Sequence, residues 1–210
     1  MIIIINPNST VSMTNAMLAT AQNTCPNADI QGWTSHDGPA AIQGPKDGEA
    51  SIPPLLRLVE KASAQGARAI IIGCVDDTGL DAARALATCP VIGIGQAAYH
   101  LAAMIGRFSV VTTLDVSAPI LSDNINSYGL AGQLGKVHAS GVPVLSLDTK
   151  AGESAEIVLD IIRQAQVQDN IQSVVLGCAG MSYIPNHAGP EITVRLIDGV
   201  KTAVQIGALL

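Results

Sequence analysis

Two short segments of the same pattern decide the fold: residues 70–74 read IIIGC and residues 174–178 read VVLGC. Each segment is a run of branched aliphatic residues that ends in Gly-Cys, and the two cysteines are 178 − 74 = 104 residues apart. Continuous apolar runs of this length are typical of strands that are buried on both faces of a parallel sheet. The repetition predicts two copies of one unit, each roughly 100 residues long.

Other pairs of segments recur at nearly the same offset. Ile3–Asn6 corresponds to Ser109–Thr112, with 112 − 6 = 106, and strand-then-helix patterns occur near 91–104 and 194–207. Stretches of helical length separate most of the apolar runs, as expected for parallel strands joined by helices. The sequence therefore predicts an α/β fold with two pseudo-symmetric lobes, each a parallel sheet flanked by helices, and an active site in the cleft between them.

The repeat predicts where one lobe ends and the next begins. The first α/β lobe is expected to cover residues 1–95, and the second follows at residues 96–189. Within the first lobe, a helix is expected over Ser51–Ala64, because Pro53 and Pro54 are tolerated only in a first turn.

Composition excludes several classes of protein. Hydrophobic residues make up 48% of the 210 residues and charged residues 13%, which is typical of an ordered domain rather than a disordered chain. A net charge of −6 and five aromatic residues disfavour a nucleic-acid-binding protein. No apolar run approaches the ~20 residues of a membrane span, and the N-terminus has no secretory pattern. We therefore expect a cytoplasmic protein without membrane partners, and its apolar helices favour a homo-oligomer.

The cysteine pair carries the chemistry that the sequence predicts. Cys74 and Cys178 each follow a predicted strand, where open α/β sheets bind ligands, so the two thiols are expected to flank one cleft. One thiolate can remove a proton from a carbon next to a carbonyl while the other thiol protonates the opposite face. This reaction inverts the carbon and needs no cofactor. The alternative is that both cysteines are small, inert core residues.

The remaining metal-binding residue types give no site. Cys25 and Cys89 precede prolines and are interpreted as structural. No Cys-x-x-Cys occurs and no two histidines have the spacing of helical zinc ligands, so no metal is predicted.

The acidity of the two thiols depends on the loops that follow them. Backbone N–H groups facing a sulfur lower the pKa of its thiol, and the loops after both cysteines can supply them. A carboxylate facing the sulfur has the opposite effect. Asp76, two residues after Cys74, is therefore predicted to point elsewhere.

Three other segments are candidates for holding a ligand. Asn6–Thr10 follows the first strand and opens a helix, which suits a carbonyl or carboxylate oxygen, although an ordinary turn explains it equally well. Thr112 and Thr113 occupy the equivalent place in the second copy, and the loop Gly38–Ile42 is expected to form a wall of the cleft. Gly93–Ala98 fits a dinucleotide-binding pattern, but the motif is short and lies in mid-chain, so nucleotide binding is disfavoured.

The segments INPNS, GP-x-x-I, GC before Asp76, VTTL and LGCAGM together resemble the hydantoin and allantoin racemase branch of the aspartate/glutamate racemase superfamily, over nearly the whole chain. The resemblance implies a cofactor-independent racemase in which Cys74 and Cys178 are the acid/base pair. It also implies a set of groups that hold the oxygens of a small-molecule substrate: Asn6, Thr112 and Thr113, with the backbone around Val75, Asp76, Ala179 and Gly180. Pro39 of the GP-x-x-I segment is expected to contact the substrate as well. In relatives the C-terminal strand and helix return to the first lobe, so the resemblance implies that residues 190–210 join residues 1–95 in the first α/β lobe.

The sequence departs from this family at one loop. Relatives often carry Phe and then Gly-Asp-Pro after the first cysteine, where this chain has Val75-Asp76-Asp77-Thr78. No Lys or Arg occurs in the candidate site segments, which favours a neutral ring such as a hydantoin or allantoin over a dicarboxylate. The alternatives are an aspartate/glutamate racemase, a cis–trans isomerase of small diacids, an arylmalonate-type decarboxylase, or a binding module without turnover.

Overall fold

The computed structural model describes residues 1–210 and contains two four-stranded parallel sheets. The first sheet has the order β2-β1-β3-β4 and the second the order β6-β5-β7-β8, which is the same order with four added to each strand number. This correspondence confirms the two pseudo-symmetric α/β lobes. The strands are β1 Ile2–Asn6, β2 Ile30–Thr34, β3 Ala69–Ile72, β4 Val91–Gly93, β5 Phe108–Thr112, β6 Leu134–Ala139, β7 Ser173–Leu176 and β8 Arg195–Ile197.

Helices connect the strands and cover both faces of the sheets. None of them combines the length and the apolar character that crossing a membrane requires. Short 3-10 turns cover Asp115–Ser117, Ala179–Met181 and Ile184–His187. The α-helices are α1 Val11–Thr24, α2 Pro45–Ala64, α3 Leu80–Leu86, α4 Ile94–Ile105, α5 Ala118–Ser127, α6 Ser146–Thr149, α7 Ala151–Gln168 and α8 Gly199–Leu209.

The isoleucines of β1 show why the apolar runs form central strands. Successive side chains of a strand point to opposite faces of the sheet. Ile2 and Ile4 therefore join the core between the two lobes, while Ile3 and Ile5 pack on the other face under α2 and α3. A run that is apolar at every position can satisfy two covered faces at once.

The core between the lobes is shared, because two helices cross from one half of the chain to the other. α4 follows β4 of the first sheet but packs against β7 of the second, and α8 follows β8 of the second sheet but packs against β3 and α1 of the first. α4 and α8 also pack against each other. The central cluster accordingly contains side chains from both sheets, such as Ile71 and Val175.

The C-terminal segment corrects part of the predicted lobe boundaries. Residues 190–210 were assigned as a whole to the first lobe, but β8 hydrogen-bonds to β7 in the second sheet, with Val175 opposite Ile197. Only α8 returns to the first lobe. The prediction was wrong for the strand, because the backbone of β8 hydrogen-bonds within the sheet of its own half of the repeat. Only the helix that follows it packs on the other half.

Helix α2 differs from its prediction as well. It begins at Pro45, not near Ser51, so Pro53 and Pro54 lie inside the helix. Interior prolines remove hydrogen bonds and disfavour a helix. The expected boundary was therefore wrong by two turns. The helix is retained by packing, since Leu55, Val59 and the side chain of Pro54 are buried against the first sheet.

Candidate active site

The Gly-Cys segments place both cysteines where β3 and β7 end. The N–H of Gly73 donates to Ile5 O and that of Gly177 to Val111 O, each at 2.8 Å, so each glycine extends the ladder of its sheet by one residue. A Cβ atom on Gly73 would lie 2.7 Å from Met17 Sδ, and one on Gly177 would lie 2.8 Å from the Cβ of a threonine on β5. Close packing against β5 therefore requires glycine at position 177, whereas at position 73 a side chain would have to displace the flexible end of Met17. In both segments the cysteine that follows lies at the carboxyl edge of its sheet.

One cavity between the lobes contains both cysteines. Its empty space, which includes the part that is open to solvent, is about 440 Å³. Both cysteine residues are half-buried and neither forms a disulfide. The lining residues are Asn8, Met13, Ile42, Gly73, Cys74, Val75, Asp76, Thr112, Thr113, Ser117, Leu121, Val144, Gly177, Cys178 and Ala179.

Three of the ten residues singled out in the sequence do not line this cavity: Asn6, Pro39 and Gly180. The Asn6 amide is buried and donates to Asn8 Oδ1, to Thr10 O and to the hydroxyl of Thr14, so it holds the loop beneath the cavity. Gly180 lies behind Cys178, with its backbone N–H directed to the sulfur. The other seven, which include both cysteines, do line it.

Several lining residues had no sequence signal. Met13 comes from α1, and Val144 from the loop before α6. Ser117 ends the 3-10 turn that precedes α5, and Leu121 lies in the first turn of that helix. None of them belongs to a motif, and only the packing of the two lobes brings them together. Asn8 and Ile42, in contrast, belong to loops that the sequence pattern had indicated.

Asp76 faces Cys74, which corrects the prediction that it points elsewhere. The Cys74 thiol donates to Asp76 Oδ1, with 2.6 Å between the sulfur and the oxygen. The same oxygen accepts the Thr78 hydroxyl at 2.6 Å, and the Asp76 backbone carbonyl accepts Asn124 Nδ2 at 2.6 Å. These anchors on both sides of the residue fix the carboxylate next to the sulfur.

Burial makes both thiols weaker acids than a free cysteine. It raises the pKa of Cys178 to about 11, against the opposing effect of the Gly180 N–H. Burial, followed by the nearby charge of Asp76, raises the pKa of Cys74 well above its usual value. No Lys, Arg or His lines the cavity, and no three His, Cys, Asp or Glu side chains are grouped to hold a metal ion. The site therefore lacks a fixed positive charge.

Asp77 occupies the start of α4, where the dinucleotide pattern would place a phosphate. Its carboxylate accepts the N–H groups of Gly95 at 3.1 Å and Gln96 at 2.7 Å, and the Tyr128 hydroxyl at 2.9 Å. Side chains on Gly93 or Gly95 would collide with the loop that follows Cys74. The glycines of this motif serve packing, which explains why a dinucleotide pattern occurs here without a phosphate site.

Contacts across the cleft tie the two walls of the cavity together. The Val144 N–H donates to Gln43 Oε1 at 3.0 Å, and the Ser12 hydroxyl donates to Asp148 Oδ2 at 2.6 Å. Met13 and Val144 belong to a small apolar cluster against which Cys178 packs. The cavity is thus bounded by both halves of the chain.

Comparison with known proteins agrees with this architecture. Residues 2–207 match the family described as Asp/Glu/Hydantoin racemase. A hydantoin racemase of Rhizobium meliloti is 40% identical over 209 residues, which cover 99% of this chain and 87% of that protein. The structure of an allantoin racemase from Klebsiella pneumoniae superposes with a TM-score of 0.95 at 34% identity, covering 100% of this chain and 86% of that one.

More distant structures share the fold alone. A glutamate racemase from Bacillus anthracis has a TM-score of 0.68 at 20% identity and covers 100% of this chain and 80% of that one. The match over nearly the full length, together with the close relatives and the paired lobes, gives one conclusion: the chain belongs to the Asp/Glu/Hydantoin racemase family.

Proposed function

We propose that this protein racemises 5-substituted hydantoins or allantoin, with Cys74 and Cys178 as the acid/base pair. The observation that carries the proposal is that two cysteines from opposite halves of the chain line one cavity. One thiolate takes the proton from the carbon next to the carbonyl, and the electron pair is delocalised onto the carbonyl oxygen. The other thiol then protonates the opposite face, so that one proton is taken up and one is given.

The charges of the cavity favour a neutral ring as the substrate. A dicarboxylate requires cationic partners, for which Arg is best suited, and the cavity wall contains neither Lys nor Arg. Its one charged lining residue, Asp76, would repel a carboxylate. This disfavours the diacid racemase, isomerase and decarboxylase alternatives. Two relatives, from Rhizobium meliloti and from Pseudomonas sp. (strain NS671), are themselves named hydantoin racemases.

Two threonines at the end of β5 have different parts in this proposal. The Thr112 hydroxyl donates to Gly177 O at 3.0 Å and so supports the strand end that carries Cys178. The Thr113 hydroxyl makes no hydrogen bond to the protein and lines the cavity. We assign it to the oxygen that gains negative charge when the proton is removed, because preorganised donors at that position lower the barrier.

Polarimetry with enantiopure substrates tests the proposal. The panel contains a 5-alkyl hydantoin, allantoin and aspartate, and the variants are Cys74→Ser, Cys178→Ser and the control Cys89→Ser. The expected result is loss of rotation with a hydantoin or allantoin, abolished in the first two variants and kept in the control. Racemisation at the wild-type rate in both site variants, or racemisation of aspartate alone, would refute the proposal.

A further inference from the structure

The two thiols of the cavity have different surroundings although their backbones are related by pseudo-symmetry. Cys178 faces the backbone N–H of Gly180, a donor that stabilises a thiolate. Cys74 faces the carboxylate of Asp76 at 2.6 Å, an acceptor that stabilises a thiol. Because a thiolate next to a carboxylate is repelled, the carboxylate breaks the equivalence of the pair.

We propose that Asp76 keeps Cys74 protonated in the resting enzyme, so that Cys178 is the sulfur that ionises first. The role of this assignment in catalysis rests on the proposed function. The position of the proton is itself a property of the free protein and can be measured without substrate.

None of the groups around Asp76 is a cation that could neutralise its carboxylate. On its own loop, Thr78 donates to the same oxygen that accepts the Cys74 thiol, and Asp77 directs its carboxylate to the start of α4. From α4, the Tyr99 hydroxyl donates to Val75 O, and from α5 Asn124 holds the Asp76 backbone. No cation from either lobe lines the cavity.

The same feature gives the turnover cycle a preferred starting point. Once Cys178 has released its proton to the solvent, its thiolate removes the substrate proton and the Cys74 thiol protonates the other face. After this turnover, Cys178 is a thiol and Cys74 is a thiolate beside Asp76. This protonation state is less stable than the one with the thiolate on Cys178. Transfer of one proton from Cys178 to Cys74, through water, restores the starting form.

Alkylation of the free enzyme tests the assignment, because only thiolates react at an appreciable rate. The rates at Cys74 and Cys178 with iodoacetamide are measured by peptide mass spectrometry from pH 6 to pH 10. The wild type is compared with Asp76→Asn, which keeps the shape and removes the charge, and with Asp123→Asn, which removes an exposed carboxylate on α5.

The expected result is that Cys178 reacts faster than Cys74 throughout the wild-type pH range. Asp76→Asn should raise the rate at Cys74 by about tenfold or more, because it removes the charge that opposes the thiolate, with a smaller change at Cys178. The control should match the wild type. Faster labelling of Cys74 in the wild type, or an unchanged ratio of the two rates in Asp76→Asn, would overturn the assignment. If the wild type shows the expected labelling but racemises no substrate, the assignment stands and the proposed function alone is refuted.

Discussion

At the scale of single residues, the acidity of the thiols limits the reaction. The proposed mechanism needs one thiolate, and burial raises the pKa of both thiols, that of Cys178 to about 11. At pH values below the pKa of a thiol, the fraction present as thiolate rises about tenfold for each pH unit. Burial therefore lowers the fraction of thiolate at neutral pH, but it makes each thiolate that does form a stronger base.

This acidity predicts the pH dependence of catalysis. Because the active thiol has a raised pKa, kcat/KM for a hydantoin should increase steadily from pH 7 to pH 9, by up to about tenfold per unit. The measurement is the initial racemisation rate by polarimetry, with the uncatalysed rate subtracted at each pH. A plateau that begins below pH 8 would contradict the raised pKa values.

The two threonines at the end of β5 give a matched pair of variants. Thr113→Val removes a hydroxyl that is free in the cavity, so kcat/KM should fall by about 10²-fold while stability is unchanged. Thr112→Val removes the donor to Gly177 O, so the free energy of unfolding should fall by about 1–3 kcal/mol. Urea unfolding and kinetics of both variants separate the two effects. Equal kinetic losses without any change in stability would contradict the different parts assigned to them.

Residue patterns predicted the position of the cysteines but not the direction of Asp76. Gly-Cys after an apolar run depends on local backbone and close packing, which the sequence shows directly. The Asp76 carboxylate accepts the Thr78 hydroxyl, and its backbone carbonyl accepts the amide of Asn124 from the other lobe. The next residue, Asp77, has a positive φ of 52°. Asn124 and Asp76 are 48 residues apart, so their contact cannot be recognised from a local sequence pattern.

At the scale of elements, Asp77 joins the loop after β3 to two helices. Its carboxylate accepts two N–H groups at the start of α4 and the hydroxyl of Tyr128 just after α5. Capping of this kind stabilises the start of a helix. Burial nevertheless raises the pKa of this carboxyl to about 7, although the three hydrogen bonds oppose the effect.

The raised pKa of Asp77 makes stability depend on pH. An unfolded Asp releases its proton near pH 3.8 and the folded protein near pH 7, so the folded state binds more protons between these values. The contribution of this group to the free energy of unfolding therefore falls as the pH rises through this window. Urea titrations at several pH values should show the decline in the wild type and in Asp123→Asn, and a smaller one in Asp77→Asn. An identical decline in Asp77→Asn would contradict this role.

Helix and strand positions were predictable where local pattern and packing agree. β3 and β7 end where the sequence predicts, directly before the glycines of IIIGC and VVLGC. The start of α2 was not predictable, since burial of its apolar side against the first sheet outweighs two interior prolines. Tertiary packing overrides local preference there.

At the scale of the whole molecule, the two lobes are one folding unit. α4 and α8 are exchanged between the halves, and the central core contains side chains from both sheets. Hydrogen bonds such as that from Val144 to Gln43 also cross the cleft. Separation of the lobes would therefore expose the core of each.

This exchange predicts a single unfolding transition. Trp33, the only tryptophan, lies in β2 and reports on the first lobe, whereas far-UV circular dichroism reports on both. The two signals should change at the same urea concentration, because each sheet is covered by a helix that follows the other sheet in the chain and is exposed when that sheet unfolds. Two separate midpoints would show that the lobes unfold independently.

The repeat was visible in the sequence, but the assignment of the last strand was not. An offset of about a hundred residues predicts two similar units, and the sheet orders agree with it. The chain after residue 190 splits between the lobes, and only the pairing of β8 with β7 shows where the boundary falls. Self-association, which the apolar helices favour, stays a prediction.

The most direct measurement of the central claim is the isotope content of both enantiomers early in a reaction in heavy water. One enantiopure, protiated hydantoin is incubated with the wild-type enzyme, and substrate and product are separated by chiral chromatography before mass analysis. If separate thiols serve the two faces of the carbon, the product should carry deuterium while the remaining substrate keeps its protium. Product that retains the original proton would show that a single group serves both faces, and would contradict the account.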